Sequence, residues 1–180
     1  MRNSFQIILI GVVLLLILGA LQFFYTPKTL ELGPVTTFDN SCASCHGPQG
    51  KFYGTGFANL EHDKLKHTIE EMMKGPAFLK PSEGEIEAMT AYHYALSNNE
   101  PFICITRIDS VNKKIFGETI PGVSLYLKND NAANKKIQVK QSGEWQISFS
   151  QIDTIVARTD SSKIMLYPAD QQWTHHVSEP

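Results

Sequence analysis

Residues 41–50 read "SCASCHGPQG", placing Cys42 and Cys45 three positions apart with His46 directly after the second cysteine. The chain has 180 residues and one further cysteine, Cys104. A CxxC pair serves dithiol redox chemistry, half of a zinc site, or covalent attachment of a c-type haem, and the surroundings choose among them. A redox pair belongs in a thioredoxin-like βαβ pattern, and none surrounds this stretch. Zinc requires a second ligand pair at finger spacing, and Cys104 stands alone. A histidine directly after the second cysteine suits the third chemistry: the two thiols add to porphyrin vinyl groups and the imidazole binds iron. Cys42 and Cys45 are therefore the expected thioether sites of one covalent haem c, and His46 its expected proximal iron ligand.

Toward the amino terminus, the run from Phe5 to Tyr25 holds no charged residue, and only Gln6 and Gln22 are clearly polar. About 20 apolar residues suffice to cross the hydrocarbon of a bilayer. A cleavable secretory signal also pairs a positive start with an apolar stretch, but its core is shorter and ends in small residues at a cleavage site. The length of this run, and the aromatic Phe23, Phe24 and Tyr25 at its end, favour an uncleaved single-pass transmembrane helix over residues 1–25. Arg2 sets the amino terminus in the cytoplasm, so residues from about 26 onward are expected on the periplasmic or equivalent outer side of the inner membrane.

Residues 33–98 are similar to a class I cytochrome c, a family of few short helices around one haem. "GPVTTFDNSCASCHG" resembles the family's first helix, and "EGEIEAMTAYHYAL" its last, in which Ile86, Met89, His93 and Leu96 share one face of a 3.6-residue period. Ser82 followed by Glu85 is a capping box at the start of that helix. "DKLKHTIEEMMKG" fits the middle helix, with Leu65, Ile69 and Met72 or Met73 inward. The resemblance implies a crossing of first and last helices with Phe38 against Tyr92.

The same resemblance implies an axial methionine in the loop before the last helix, but that loop reads "GPAFLKPSEGE" and contains none. Met73 lies nearest the usual slot and is the first candidate for sixth ligand. Met72 and His93 are the alternatives, since the family has an apolar residue where His93 stands. Met89 reads as core, and His62 and His67 as a solvated helix face. An iron without a protein sixth ligand would be open to a small molecule.

Beyond "SNNEP", residues 97–101, helical periodicity gives way to short β-rich runs: "FICITRI", "VSLYLK", "KIQVK", "EWQISF", "TIVART" and "KIMLYP". Pro121-Gly122, "KNDNAAN" and Ser142-Gly143 are turn signals between them. About six strands in this span predict a small all-β sandwich or barrel. "ETIPGVSLYLKND" followed by "QSGEWQISF" is loosely similar to a transthyretin-like or carboxypeptidase-regulatory-like module. Cys104 alternates with Phe102 and Thr106 and is expected to be a buried thiol. Trp173, His175 and His176 fall in a short terminal tail.

The expected fold class is thus multi-domain: an N-terminal transmembrane helix (1–25), a linker (26–32), a small all-α cytochrome c domain (33–98), a C-terminal all-β sandwich (101–172) and a tail (173–180). Residues 26–100 carry 6 basic against 10 acidic side chains, net −4, and residues 101–180 carry 9 against 8. An acidic haem-bearing half steers toward a basic redox partner, and no basic stripe suggests nucleic acid. The expected function is electron transfer by a membrane-anchored monohaem cytochrome, either a carrier or a subunit of a respiratory complex, with no independent enzymatic turnover. A haem-based sensor or small-ligand-binding protein is the alternative, and an adhesive β-module with an incidental haem a third reading.

Overall fold

The computed structural model of the chain describes residues 33–53, 57, 60–129, 132–148 and 154–166. Among the described residues, four short α-helices precede the strands: α1 (Pro34–Ser41), α2 (Ala43–His46), α3 (His62–Lys74) and α4 (Glu83–Asn98), with a 3₁₀ turn at Pro48–Gly50. Pro34 opens α1, where its fixed φ suits the first turn and its missing N–H costs nothing. Leu65, Ile69 and Met73 form the buried stripe of α3, four residues apart, while Met72 faces out. The capping box of α4 is complete: Glu85 accepts the Ser82 backbone N–H at 2.7 Å, and Ser82 Oγ accepts that of Glu85 at 3.4 Å. Asn99 ends the helix in the left-handed region, a conformation asparagine tolerates.

The first and last helices meet through Phe38 and Tyr92, whose rings pack edge-to-face at 5.6 Å between centroids. Lys66 on α3 reaches both Glu83 and Glu87 on α4, tying the middle helix to the last.

Seven antiparallel strands follow: β1 (Ile103–Asp109), β2 (Lys114–Thr119), β3 (Ser124–Asn129), β4 (Ala132–Ile137), β5 (Glu144–Ser148), β6 (Thr154–Arg158) and β7 (Lys163–Leu166). They make one sheet ordered β1-β2-β5 and another ordered β4-β3-β6-β7. The expected runs map onto β1, β3, β5, β6 and β7, whereas "KIQVK" shares only Lys136 and Ile137 with β4, which begins at Ala132 within the stretch expected to turn. β2 has no counterpart among them, because Gly117 interrupts its alternation. That glycine is required by packing: a Cβ there would come within 2.1 Å of Trp145 Cζ2 and 2.2 Å of the Cys104 carbonyl oxygen.

The organisation corrects the expected one of an all-α haem domain beside a separate all-β sandwich. Phe102 and Cys104 belong to the same buried cluster as Val35, Phe38, Leu65 and Tyr92. Ile103, between them, belongs to the second cluster with Leu125, Trp145 and Ile155. Alternation along a strand sends successive side chains to opposite faces, so β1 contributes to two cores at once. Helices and sheets are thereby fused through one strand, and the described chain is mixed α/β, with four short helices and two sheets. Glu118 on β2 completes the join by capping α1: it accepts the backbone N–H groups of Val35 at 2.8 Å and Thr36 at 3.3 Å, and the Thr36 hydroxyl. The transmembrane helix expected over residues 1–25 lies outside the described residues, and among the described residues no helix is long and apolar enough to cross a membrane.

Candidate functional site

Cys42 sits at the joint between α1 and α2. Its backbone N–H closes α1 on Phe38 O at 2.8 Å, and its own carbonyl accepts from both Cys45 N at 3.1 Å and His46 N at 3.0 Å. That single turn sets the two thiols on neighbouring positions of one helix face, with the imidazole next around the turn. Gly47 stops the helix at φ +73°, ψ 167°, a region glycine enters without steric cost. Phe52 then returns to donate its N–H to His46 O at 2.9 Å.

Neither thiol is bonded to another; Cys45 is exposed, Cys42 half-buried and His46 half-buried. Burial pushes the Cys42 thiol up, and the Cys45 charge adds to that. Among the described residues no three His, Cys, Asp or Glu side chains gather around one ion position, so Cys42, Cys45 and His46 do not converge as ligands of a single metal.

Beside the motif lies an aromatic cluster that the sequence motifs did not signal. The Tyr53 ring is 5.2 Å from the His46 ring, 4.5 Å from Phe57 in a stacked pair, and 5.7 Å from His93. Tyr53 sits in "KFYGTGF", aromatics set among small residues, which was its one available signal. Its hydroxyl is buried and has no hydrogen-bond partner among the described residues. Desolvation raises its pKa above the ordinary 10, as do the nearby Cys42 and Tyr92, so the phenol stays protonated and is a donor without an acceptor. A cofactor bearing carboxylates would supply that acceptor. The donor set therefore fits a c-type haem: two free thiols on one turn, a partly exposed imidazole, and a buried unpaired phenol close by.

The candidates for the sixth position are spread through the helical half. Met73 is 2% exposed within the helical core, and its carbonyl holds the Leu79 N–H at 2.8 Å. Met72 is 44% exposed on the other face of α3. His93 is 4% exposed, with Nδ1 2.8 Å from the Met89 carbonyl. Its pKa is pushed down to about 4 by desolvation, against the pull of that hydrogen bond, so the ring is neutral. Met89 is core, as its spacing indicated. In the loop before α4, Leu79 is buried, whereas Phe78 is exposed at φ +52°.

Of the remaining sequence candidates, His62 and His67 lie on the solvated face of α3 near Asp63 and Glu71. Cys104 is buried, and desolvation raises its thiol pKa. Trp173, His175 and His176 lie outside the described residues. The chain matches no protein-family model, no curated protein and no solved structure.

Proposed function

We propose that this chain carries one haem c, attached through Cys42 and Cys45 and ligated by His46, and works as a one-electron carrier or as the electron-transferring subunit of a respiratory complex. The observation that carries this reading is the turn at Cys42–His46, where two unpaired thiols and a partly exposed imidazole lie beside the unpartnered Tyr53 hydroxyl. The resemblance of residues 33–98 to class I cytochromes c supports it. The bound group supplies reversible one-electron chemistry at iron; the chain supplies position and environment. Cys42 and Cys45 hold the group to one helix, His46 donates a nitrogen lone pair, and Phe38, Tyr92 and Phe102 keep water from the side facing the core. Tyr53 is placed to donate to a carboxylate. The exposed Cys45 side leaves the attachment edge open to a docked protein, and the net charge of −4 over residues 26–100 favours a basic one.

The apolar run 5–25, outside the described residues, retains the chain at the inner membrane with the site on its outer side in this reading. Electron transfer then needs no nucleophile or paired carboxylates, and nucleic acid is not a partner. The test is mass spectrometry of the full chain made in cells with a c-haem maturation system, followed by redox titration. One covalent haem lost in Cys42→Ala/Cys45→Ala is the expected result, and a native chain of unmodified mass rejects it. A second reading, a haem-based gas sensor, is favoured by one observation: the loop Gly75–Pro81 contains no methionine. Rapid carbon monoxide binding by the reduced protein separates it from a carrier.

A further inference from the structure

His93 lies on the buried face of α4, 4% exposed. Its ring is caged by Phe38 at 5.4 Å, Tyr92 at 5.8 Å, Tyr53 at 5.7 Å and Phe57 at 5.9 Å between centroids. A carbonyl only accepts, so the 2.8 Å contact with Met89 O places the proton on Nδ1 and leaves Nε2 with its lone pair. Among the described residues nothing donates a hydrogen bond to Nε2. Nε2 therefore keeps a lone pair that a metal can take. An imidazole whose Nδ1–H is held by a backbone carbonyl is also the arrangement that fixes tautomer and ring orientation in metal-binding histidines. His93 further lies near the attachment turn, for His46 and His93 border the same Tyr53 ring.

The methionines compare poorly. Met72 points largely to solvent, and Met73 is packed in the helical core with Leu65 and Ile69. We propose that His93 Nε2 is the second axial ligand of the haem iron, making the centre bis-histidine; this rests on the attachment at Cys42 and Cys45 proposed above. A thioether ligand raises a haem's potential, so two imidazoles set this centre lower than a histidine–methionine one. They also close the iron to small molecules, which favours the carrier over the sensor.

The experiment uses the full chain, shown by mass spectrometry to bear covalent haem, and reads its ferric absorption and electron paramagnetic resonance spectra. The expected wild-type centre is low-spin without a methionine-to-iron charge-transfer band, and Met72→Leu and Met73→Leu leave it unchanged. His93→Ala, and His93→Leu, which keeps the volume filled, are expected to turn the centre high-spin and open the reduced form to carbon monoxide. Added imidazole is expected to restore the low-spin signal in His93→Ala. A methionine band or a high-spin signal in the wild type overturns the proposal without recourse to any variant, and so does a low-spin centre that survives both His93 substitutions. A chain without the haem mass overturns the attachment reading itself, and this proposal with it.

Discussion

The carboxylate of Glu118 on β2 accepts the backbone N–H of Val35 at 2.8 Å, joining residues 83 positions apart. Gly33, ahead of α1, has no side chain with which to cap that helix, so the sheet provides the cap. The helix so anchored ends at Cys42, where the Cys42–His46 turn begins. A contact in the β half thereby fixes the position of the candidate site.

Removing that contact is expected to loosen both halves together. Glu118→Ala leaves two N–H groups and the Thr36 hydroxyl without their acceptor at a residue 4% exposed, a loss of about 2 kcal/mol or more. Burial raises the Glu118 pKa above the ordinary 4.5 despite the donors from Thr36 and Val35 that pull it down. A carboxyl whose pKa rises on folding adds stability that is complete below its unfolded value and is lost as pH climbs through the folded one. The advantage of wild type over Glu118→Gln should therefore shrink as pH rises above about 4.5. Urea midpoints across a pH series check this, and an advantage that grows with pH contradicts it.

Tyr92 makes an opposite case, because its hydroxyl is buried without a partner among the described residues while its ring packs against Phe38 and Phe102. Tyr92→Phe keeps the ring contacts and removes an unpaired polar atom, so stability should hold or rise, within about 1 kcal/mol. Phe38→Ala, by contrast, empties the crossing of α1 and α4 and should cost about 3–5 kcal/mol. Thermal unfolding of the two variants tests the pair, and a Tyr92→Phe loss comparable to that of Phe38→Ala would show the hydroxyl to be bonded.

The middle and last helices were readable because each carries its own local instructions, whereas the first, expected as one helix by resemblance, is broken at Cys42. Ser82 and Glu85 mark a start, and Leu65, Ile69 and Met73 repeat at four-residue intervals. Most strands alternate visibly, but β2 does not. Its residues answer to four different neighbours: Ile115 to the buried cluster of Leu125 and Ile155, Phe116 to the guanidinium of Arg107 4.1 Å above its ring, Gly117 to Trp145, and Glu118 to α1. The fusion of the two halves was hidden for the same reason, since the direction in which Phe102 and Cys104 point is fixed by a partner distant in sequence. At the site, the motif announced its cysteines and histidine, whereas Tyr53 has no spacing rule and emerged only from its place beside His46.

Gly117→Ala tests how tightly the sheet is built. The added methyl meets backbone at the Cys104 carbonyl as well as the Trp145 indole, and backbone does not swing aside. Overpacking of this kind costs about 1–3 kcal/mol, and the shift should register at Trp145 as altered indole fluorescence or a moved indole N–H resonance. A Gly117→Ala chain of unchanged midpoint and unchanged Trp145 signal would mean that the strands sit further apart than described.

Thiol counting follows from the burial of the cysteines and bears directly on attachment. The chain has 3 cysteines, of which Cys45 is exposed, Cys42 half-buried and Cys104 1% exposed. The thiolate is the reactive form, and desolvation, followed by the nearby Glu118 charge, raises the Cys104 pKa, so this thiol should stay silent toward an aromatic disulfide reagent in the folded protein. If Cys42 and Cys45 are thioethers, the native chain should give no equivalent and the unfolded chain one, from Cys104. Were both thiols free, Cys45 would react in the native state and unfolding would reveal all three. Cys104→Ala should then abolish the single equivalent, which assigns it without reference to any spectrum of the haem.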